Sequence, residues 1–281
     1  MKNKITFFQA QKWAFSFVAS QGKEKSAVNM LLEGQMGWDL TSLLMHYRDL
    51  MPQDEWEKFQ QNVKLYCEDW PPQYLLGKAD FYGLTFKVAP GVLIPRLETE
   101  ELVEWVLNEY PNQKMSVLDL GTGSGAIGIS LKANRPDWEV TLSDISADAL
   151  KIARENAELL EQDVKIVKSD LFEQISNKYD LIVSNPPYIS FDEKKLMDKS
   201  VLEHEPQGAL FAQDEGLWFY REIARQAGDY LKPQGSVFLE IGFRQGQKVK
   251  QIFKENFPHD EVLLRQDIDG HDRMVRLKKK K

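Results

Sequence analysis

From Met115 onward, short apolar segments alternate with helical segments, and this alternation constrains the fold more than any other feature. Parallel strands need a crossover between them, so the alternation predicts a doubly wound α/β sheet that is mainly parallel. The predicted strands are residues 117–120, 140–143, 164–167, 179–184, 236–240, 262–265 and 273–277, and the predicted helices are residues 123–133, 146–160, 215–231 and 245–253. The last two strands are expected to close the sheet as a pair.

The N-terminal part shows apolar stripes at helical spacing and no strand pattern, which predicts a small all-α bundle over residues 1–72. Asp39 or Thr41 is expected to cap one of its helices, and Asp54 another. A bundle of this kind either docks a partner or only stabilises the fold, and its composition is compatible with both roles.

Prolines at 71 and 72 are expected to end the bundle, because proline stops helices and stiffens linkers. Residues 73–94 are then expected to be a linker with a β-hairpin around Gly83. Residues 95–281 are assigned to the α/β domain, whose first helix is expected to begin with the acidic turn at Glu98–Glu101.

Composition limits the possible partners and the compartment. The 281 residues carry a formal net charge of -7, which argues against nucleic acid as the main partner. No apolar run is long enough for a membrane span, no signal peptide is recognisable, and the single cysteine, Cys67, cannot form an internal disulfide. Together these features predict a cytoplasmic protein that does not bind a membrane.

One predicted strand stops at a rigid polar corner, Asn185-Pro186-Pro187-Tyr188. Two consecutive prolines cannot continue a sheet ladder, and the residue before a proline is held extended. The corner therefore presents an amide side chain, a backbone carbonyl and an aromatic ring at the carboxyl end of a strand. Open α/β sheets bind their ligands at such ends.

A glycine-rich turn follows the first strand of the α/β domain, with Gly121, Thr122, Gly123, Ser124 and Gly125 leading into a helix. Glycines allow a sharp turn and a close backbone approach to a ligand. With Ala126 in third place, the spacing also satisfies the dinucleotide pattern, so the turn alone does not choose between cofactors.

Three acids at successive strand ends help to distinguish a dinucleotide site from an S-adenosylmethionine site. Asp119 would repel a pyrophosphate but suits the ammonium of an amino-acid moiety. Asp144 lies about 20 residues further on, where an acid binds ribose hydroxyls, although it could also cap the next helix. Asp170 with Leu171 and Phe172 could read and pack an adenine. The three acids together favour S-adenosylmethionine over NAD.

The Asn185 corner then has a chemical use, because methyl transfer to a planar nitrogen needs its NH₂ group held and aimed. The Asn185 side-chain oxygen and the Pro186 carbonyl could accept its two hydrogens, and Tyr188 could stack on the planar group. A structural Asn-Pro turn is the alternative reading. The four histidines have no metal-ligand spacing, so no metal site is predicted.

In combination, these motifs resemble class I S-adenosylmethionine-dependent methyltransferases that methylate amino groups. Motifs outside the cofactor region resemble, more closely, the bacterial peptide chain release factor N5-glutamine methyltransferase family (PrmC/HemK). Those motifs are Pro72-Gln73-Tyr74-Leu75-Leu76-Gly77, Phe81-Tyr82-Gly83, Val92-Leu93-Ile94-Pro95-Arg96 with Glu98-Thr99-Glu100, Glu205-Pro206, and Glu240-Ile241-Gly242. The similarity extends from about residue 25 to residue 277, and Leu97 departs from it where the family usually has proline.

The resemblance implies a seven-stranded, Rossmann-like sheet and a methyl transfer that converts S-adenosylmethionine to S-adenosylhomocysteine. It implies that the acceptor is the glutamine of the Gly-Gly-Gln loop in class I release factors, which the helical domain would contact. Asn185, Pro186 and Tyr188 are the expected catalytic residues, and together with Pro187 they are expected to bind the substrate. Asn185 is also expected to contact the cofactor. The other amide and amine methyltransferases, which act on ribosomal-protein glutamine, adenine N6 or guanine N2, remain alternatives.

Overall fold

The computed structural model describes residues 4–280, which form two compact units. The first unit contains the described residues up to Lys78 together with Asp198–His204. The second contains Ala79–Met197 and the described residues from Glu205 onward. None of the helices between residues 4 and 280 is both long enough and apolar enough to span a bilayer.

The helices and strands below are numbered in chain order. The α-helices are α1 (Phe7–Ser20), α2 (Ser26–Met36), α3 (Leu40–Met45), α4 (Gln53–Cys67), α5 (Pro72–Leu76), α6 (Leu97–Glu109), α7 (Ala126–Asn134), α8 (Ala147–Leu159), α9 (Lys199–His204), α10 (Gln213–Gly216, a distorted turn), α11 (Trp218–Tyr230) and α12 (Gly246–Asn256). The strands are β1 (Lys78–Phe81), β2 (Leu84–Lys87), β3 (Ser116–Leu120), β4 (Glu139–Asp144), β5 (Lys165–Lys168), β6 (Tyr179–Ser184), β7 (Ile189–Ser190), β8 (Phe211–Ala212), β9 (Leu231–Glu240), β10 (Glu261–Gln266) and β11 (Asp272–Lys278).

The first unit is helical, as predicted, and its core is formed by apolar side chains that α1, α2 and α4 bury against one another. The Asp39 side chain caps α3 by accepting a hydrogen bond from the Ser42 N–H at 2.7 Å. Of the two residues proposed for this cap, Asp39 is therefore confirmed. The Asp54 cap is wrong. Helix α4 begins at Gln53, and Asp54 lies in its first turn, where a negative charge suits the helix dipole.

Helix α9 comes from a later part of the chain but belongs to the helical unit. The Lys199 ammonium lies 3.0 Å from the Asp69 carboxylate, and the ring of His204 packs on that of Trp70 at 4.2 Å between centroids. The chain therefore leaves the second unit after Met197 and returns to it at Glu205.

The predicted β-hairpin is formed by β1 and β2. Its two turn residues, Tyr82 and Gly83, both have positive φ, at 48° and 75°. Two central residues with positive φ are typical of the tight turns that match the twist of paired strands.

The second unit is built on a seven-stranded sheet in the order β10-β11-β9-β6-β3-β4-β5. Strand β11 runs antiparallel to both of its neighbours, whereas β9, β6, β3, β4 and β5 are mutually parallel. The prediction of a doubly wound, mainly parallel sheet is therefore confirmed. Apolar clusters cover both faces of this sheet, which explains why the central strands read as continuous apolar runs.

The strand order reverses beside β3. From β3 the chain moves outward to β4 and β5 and then crosses back to β6, which pairs with the other side of β3. A crevice opens at such a switch point, beyond the carboxyl ends of the two strands. The glycine-rich turn follows β3, and Asn185 follows β6, so both motifs lie at this crevice.

Candidate active site

A cavity of about 350 Å³ lies at the switch point, within the size range of small-molecule sites. It brings together predicted site residues from four strand ends: Gly121, Thr122, Gly123, Ser124, Asp144, Asp170, Leu171, Asn185 and Pro187. Its remaining lining includes side chains without a predicted role in the site: Phe81, Val92, Leu93, Pro95, Arg96, Thr99, Ile145 and Phe219. Asp119, Gly125, Pro186, Phe172 and Tyr188 are absent from its wall.

The glycine-rich turn depends on its glycines for backbone conformation. Gly121, Gly123 and Gly125 have φ values of 72°, 57° and 86°, a region that other residues seldom adopt. The N–H groups of Gly121 and Thr122 both donate to the Ser143 carbonyl, at 2.8 and 2.9 Å. These bonds tie the turn to the end of β4.

Asp144 borders the cavity with its carboxylate held from two sides. One oxygen accepts from the Gly123 N–H and the other from the Ser146 N–H, both at 2.9 Å. Burial raises the pKa of Asp144, and the two backbone N–H groups partly offset this rise. The N-cap of α8 is Ser146, whose hydroxyl accepts from the Ala149 N–H, so Asp144 is not the cap itself.

Asp119 is fully buried behind the glycine-rich turn. Its Oδ2 atom accepts hydrogen bonds from the Thr122 hydroxyl at 2.5 Å and from the Gly128 N–H at 2.8 Å. Its Oδ1 atom is buried and has no hydrogen-bond partner among residues 4–280. Burial raises the pKa of Asp119 to about 6, which is the response expected of an incompletely paired buried carboxyl.

The segment after β5 divides its side chains between cavity and core. Asp170 is exposed and borders the cavity together with Leu171, whose φ is 44°. Phe172 points the other way: it is fully buried and stacks on Tyr230 with 4.6 Å between ring centroids. The predicted contact of Phe172 with an adenine therefore has no counterpart in the cavity wall.

At the Asn185 corner, the amide side chain is held by a hydrogen-bonded series of buried groups. Asn185 Nδ2 donates to Thr99 Oγ1 at 3.2 Å, and Thr99 Oγ1 donates to Glu240 Oε2 at 2.6 Å. Pro186 is buried, whereas Pro187 borders the cavity.

Tyr188 is directed away from the cavity wall. Its hydroxyl donates to Glu240 Oε1 at 3.3 Å, and its carbonyl accepts from the Gln245 side chain at 2.9 Å. Burial, together with the nearby Glu240 carboxyl, raises the pKa of Tyr188 far above its ordinary value. A stacking role for this ring and an accepting role for the Pro186 carbonyl remain predictions.

The site also contains an ion pair without a predicted role. Arg96 borders the cavity and pairs with Glu205 at 2.6 Å, and the other Glu205 oxygen accepts from the Ile94 N–H at 3.3 Å. The Glu205 side chain is only 2% exposed. Both residues belong to motifs with which the sequence resembles its family, but no spacing within the chain indicates that they meet.

The chain is similar in sequence to curated bacterial enzymes over most of its length. It is 41% identical to the release factor glutamine methyltransferase of Enterococcus faecalis, a similarity that covers 96% of this chain and 98% of that protein. The identity to the protein of the same name from Streptococcus pneumoniae is 44%, covering 91% and 92% of the two chains. This chain belongs to the release factor glutamine methyltransferase family. The family resemblance expected from the sequence is thereby confirmed.

Two family models match this chain, and solved structures share its fold. The PrmC N-terminal domain matches residues 9–77, and the Methyltransferase small domain matches residues 98–212. A methyltransferase from Pyrococcus furiosus has a similar fold, with a TM-score of 0.54, 17% identity and coverage of 81% of this chain and 99% of that one. The hMettl16 catalytic domain, solved with an RNA hairpin, gives a TM-score of 0.56 at 16% identity, covering 81% and 82% of the two chains. At these identities the structures support the fold alone.

Proposed function

We propose that this enzyme transfers a methyl group from S-adenosylmethionine to the side-chain amide nitrogen of a glutamine in bacterial peptide chain release factors. The proposed glutamine is that of the Gly-Gly-Gln motif. The observation that carries the chemistry is the placement of Asn185 at the switch point, with its amide nitrogen already bound to Thr99. Its amide oxygen is then available to accept a hydrogen from a planar NH₂ group.

The residues of the cavity fit the proposed cofactor. The glycine-rich turn allows close approach, and the half-buried Asp144 carboxylate suits ribose hydroxyls. Leu171 and the exposed Ile145 offer apolar surfaces for an adenine, and Asp170 offers an acceptor for its amino group. The unpaired, buried Oδ1 of Asp119 suits the proximity of an ammonium group. S-adenosylmethionine supplies an electrophilic methyl group when bound and leaves as S-adenosylhomocysteine.

The protein contributes positioning. An amide nitrogen is a poor nucleophile because its lone pair is delocalised, so its NH₂ group must be held with that lone pair aimed at the methyl carbon. We assign the two accepting positions to Asn185 Oδ1 and the Pro186 carbonyl. Holding reactants in this way supplies a large share of the rate when the electrophile is already activated.

The helical unit is the proposed docking domain for the release factor. Its match to the PrmC N-terminal domain supports this role for residues 1–72. Since release factors act at the ribosome, we also propose that the enzyme works in the cytoplasm, without direct contact with nucleic acid. The acidic net charge of -7 agrees with that proposal.

The test is methylation of a purified class I release factor. Incubation with S-adenosylmethionine should add one methyl mass to the tryptic peptide that contains Gly-Gly-Gln, and a substrate with glutamine replaced by alanine in that motif should remain unmodified. Ribosomal proteins and RNA, incubated with labelled cofactor, test the two alternative acceptors. An unmodified release factor, under conditions where calorimetry shows cofactor binding, would refute the proposal.

A further inference from the structure

Behind the Asn185 corner lie two buried polar residues that do not belong to the motif itself. We infer that Thr99 and Glu240 are positioning residues, which fix the side-chain amide of Asn185 with its oxygen toward the substrate. This inference rests on the proposed function, because it concerns how that site distinguishes an NH₂ group from other groups.

The direction of the hydrogen bonds follows from the donors available. Thr99 and Glu240 are 4% and 1% exposed, so water does not compete for their polar atoms. Thr99 has one hydroxyl proton, which lies between its oxygen and Glu240 Oε2 at 2.6 Å. With that proton committed, Thr99 can only accept from Asn185, and Nδ2 is the only side-chain donor that Asn185 has.

The Glu240 carboxylate determines where the hydroxyl proton of Thr99 points. An ionised Glu240 accepts at both oxygens, from Thr99 at 2.6 Å and from the Tyr188 hydroxyl at 3.3 Å. Burial raises the pKa of Glu240, and the hydrogen bonds from Thr99 and Tyr188 and the nearby Arg273 guanidinium oppose this rise. The Tyr220 hydroxyl donates to the Glu240 backbone carbonyl at 3.0 Å and so helps to hold the end of β9 in place.

Reversing this polarity would disable the acceptor. If Thr99 donated to Asn185 instead, the amide would turn, and its two N–H bonds would face the NH₂ group of the substrate. Two donors facing each other cannot form a hydrogen bond, and Asn185 would then repel the group that it must hold. An unsupported amide would rotate between the two states, which lowers the fraction of productive complexes.

Two substitutions of Thr99 distinguish the effect of its hydroxyl group from the effect of its side-chain volume. Thr99→Val removes the hydroxyl at nearly constant volume, and Thr99→Ser keeps it. We expect kcat on the release factor to fall by about 10- to 100-fold in Thr99→Val, as for a misaligned reactive group, with KM and cofactor affinity changed less than about twofold. Thr99→Ser should retain kcat within about threefold of wild type. Thr141→Val, at a buried position on β4, is the matched control for the same change elsewhere.

Two results for the Thr99 variants would overturn the inference. A Thr99→Val enzyme with at least half of the wild-type kcat overturns the inference, and so does a Thr99→Ser enzyme that is as impaired as Thr99→Val. If Thr99→Val does not fold, as judged by calorimetry and cofactor affinity, Thr99→Ala provides the same loss of the hydroxyl without an added methyl group.

A measurement without substrate separates this inference from the proposed function. In protein labelled with ¹⁵N-asparagine, the side-chain signal of Asn185 is identified by its loss in Asn185→Ala. Its Nδ2 protons should exchange faster with solvent in Thr99→Val than in wild type or Thr99→Ser, because they lose their acceptor. An Asn185 signal that is indifferent to Thr99→Val overturns the positioning role, whereas wild-type protein that binds cofactor but leaves the release factor unmodified overturns only the proposed function.

Discussion

Replacing Asp119 with asparagine should stabilise the cofactor-free protein, although the residue lies in the most recognisable motif of the site. The carboxyl is fully buried, and its Oδ1 atom has no hydrogen-bond partner in the part of the chain that the structure describes. The two donors to Oδ2, Thr122 and Gly128, can bond equally well to an amide oxygen. Asparagine therefore keeps these two contacts and removes a buried negative charge, while its buried NH₂ group, at the position of Oδ1, offsets part of the gain.

The size of this effect follows from the pKa of Asp119, which burial raises from 3.8 to about 6. Because the unfolded chain loses this proton first, stability falls as the pH rises from about 4 to about 6 and stays lowered above that range. Two pKa units correspond to about 3 kcal/mol, an upper limit for the gain from Asp119→Asn at pH 8. At pH 5 the folded carboxyl is still mostly protonated, so the gain should be about half as large.

Urea unfolding of the cofactor-free protein at pH 5 and pH 8 measures both values. Asp137→Asn, at an exposed position outside the cavity, controls for the change in net charge. A variant that is no more stable than wild type at pH 8, or that gains more at pH 5 than at pH 8, would refute the reasoning. If Asp119 also favours the ammonium group of the cofactor, the same variant should bind S-adenosylmethionine more weakly, which calorimetry can detect.

Three further substitutions test other parts of the site. Asn185→Ala should lower methyl transfer at least 100-fold with little change in cofactor affinity, because it removes a positioning acceptor, and comparable losses of both would contradict this role. Arg96→Ala should destabilise the fold by about 3 kcal/mol in urea unfolding, since it leaves the Glu205 carboxylate buried without its ion pair, and a loss below 1 kcal/mol would argue that water replaces the arginine. Gly216→Ala should lower stability by more than about 2 kcal/mol, because φ is +83° and the new Cβ would lie 2.0 Å from a carbonyl oxygen, whereas Gly208→Ala enters open space and serves as the control.

The fold could be predicted from the chain because its signals are local. The apolar runs of β3 and β6 predict buried strands of a mainly parallel sheet, and the structure adds the strand order and the point where it reverses. The prolines after β6 and the glycines after β3 mark strand ends, because neither residue type favours the interior of a strand. These features predict a ligand site at the carboxyl ends of β3 and β6, where the cavity lies.

The direction of individual side chains was less predictable, because it depends on backbone dihedral angles and distant partners. Leu171 has a positive φ that no β or helix pattern signals, and the chain turns there so that Phe172 enters the core. Glu205, which could have been a solvated loop acid, is buried by its pairing with Arg96, 109 residues earlier in the chain. Neither the turn nor the pairing follows from periodicity.

Acids end four parallel strands of this sheet or follow them closely, and their burial decides what each can do. Asp170 is exposed and Asp144 half-buried, and both border the cavity, so both can exchange water for ligand hydroxyl or amino groups. Asp119 and Glu240 are almost fully buried, and both orient neighbouring protein groups through hydrogen bonds. Asp119 holds the glycine-rich turn and the start of α7, whereas Glu240 commits the Thr99 proton and thereby the amide of Asn185. The sequence pattern of Asp119, Asp144 and Asp170 locates the site but does not include Glu240. Only the packing of the sheet shows that Asp144 and Asp170 border the cavity, whereas Asp119 and Glu240 do not.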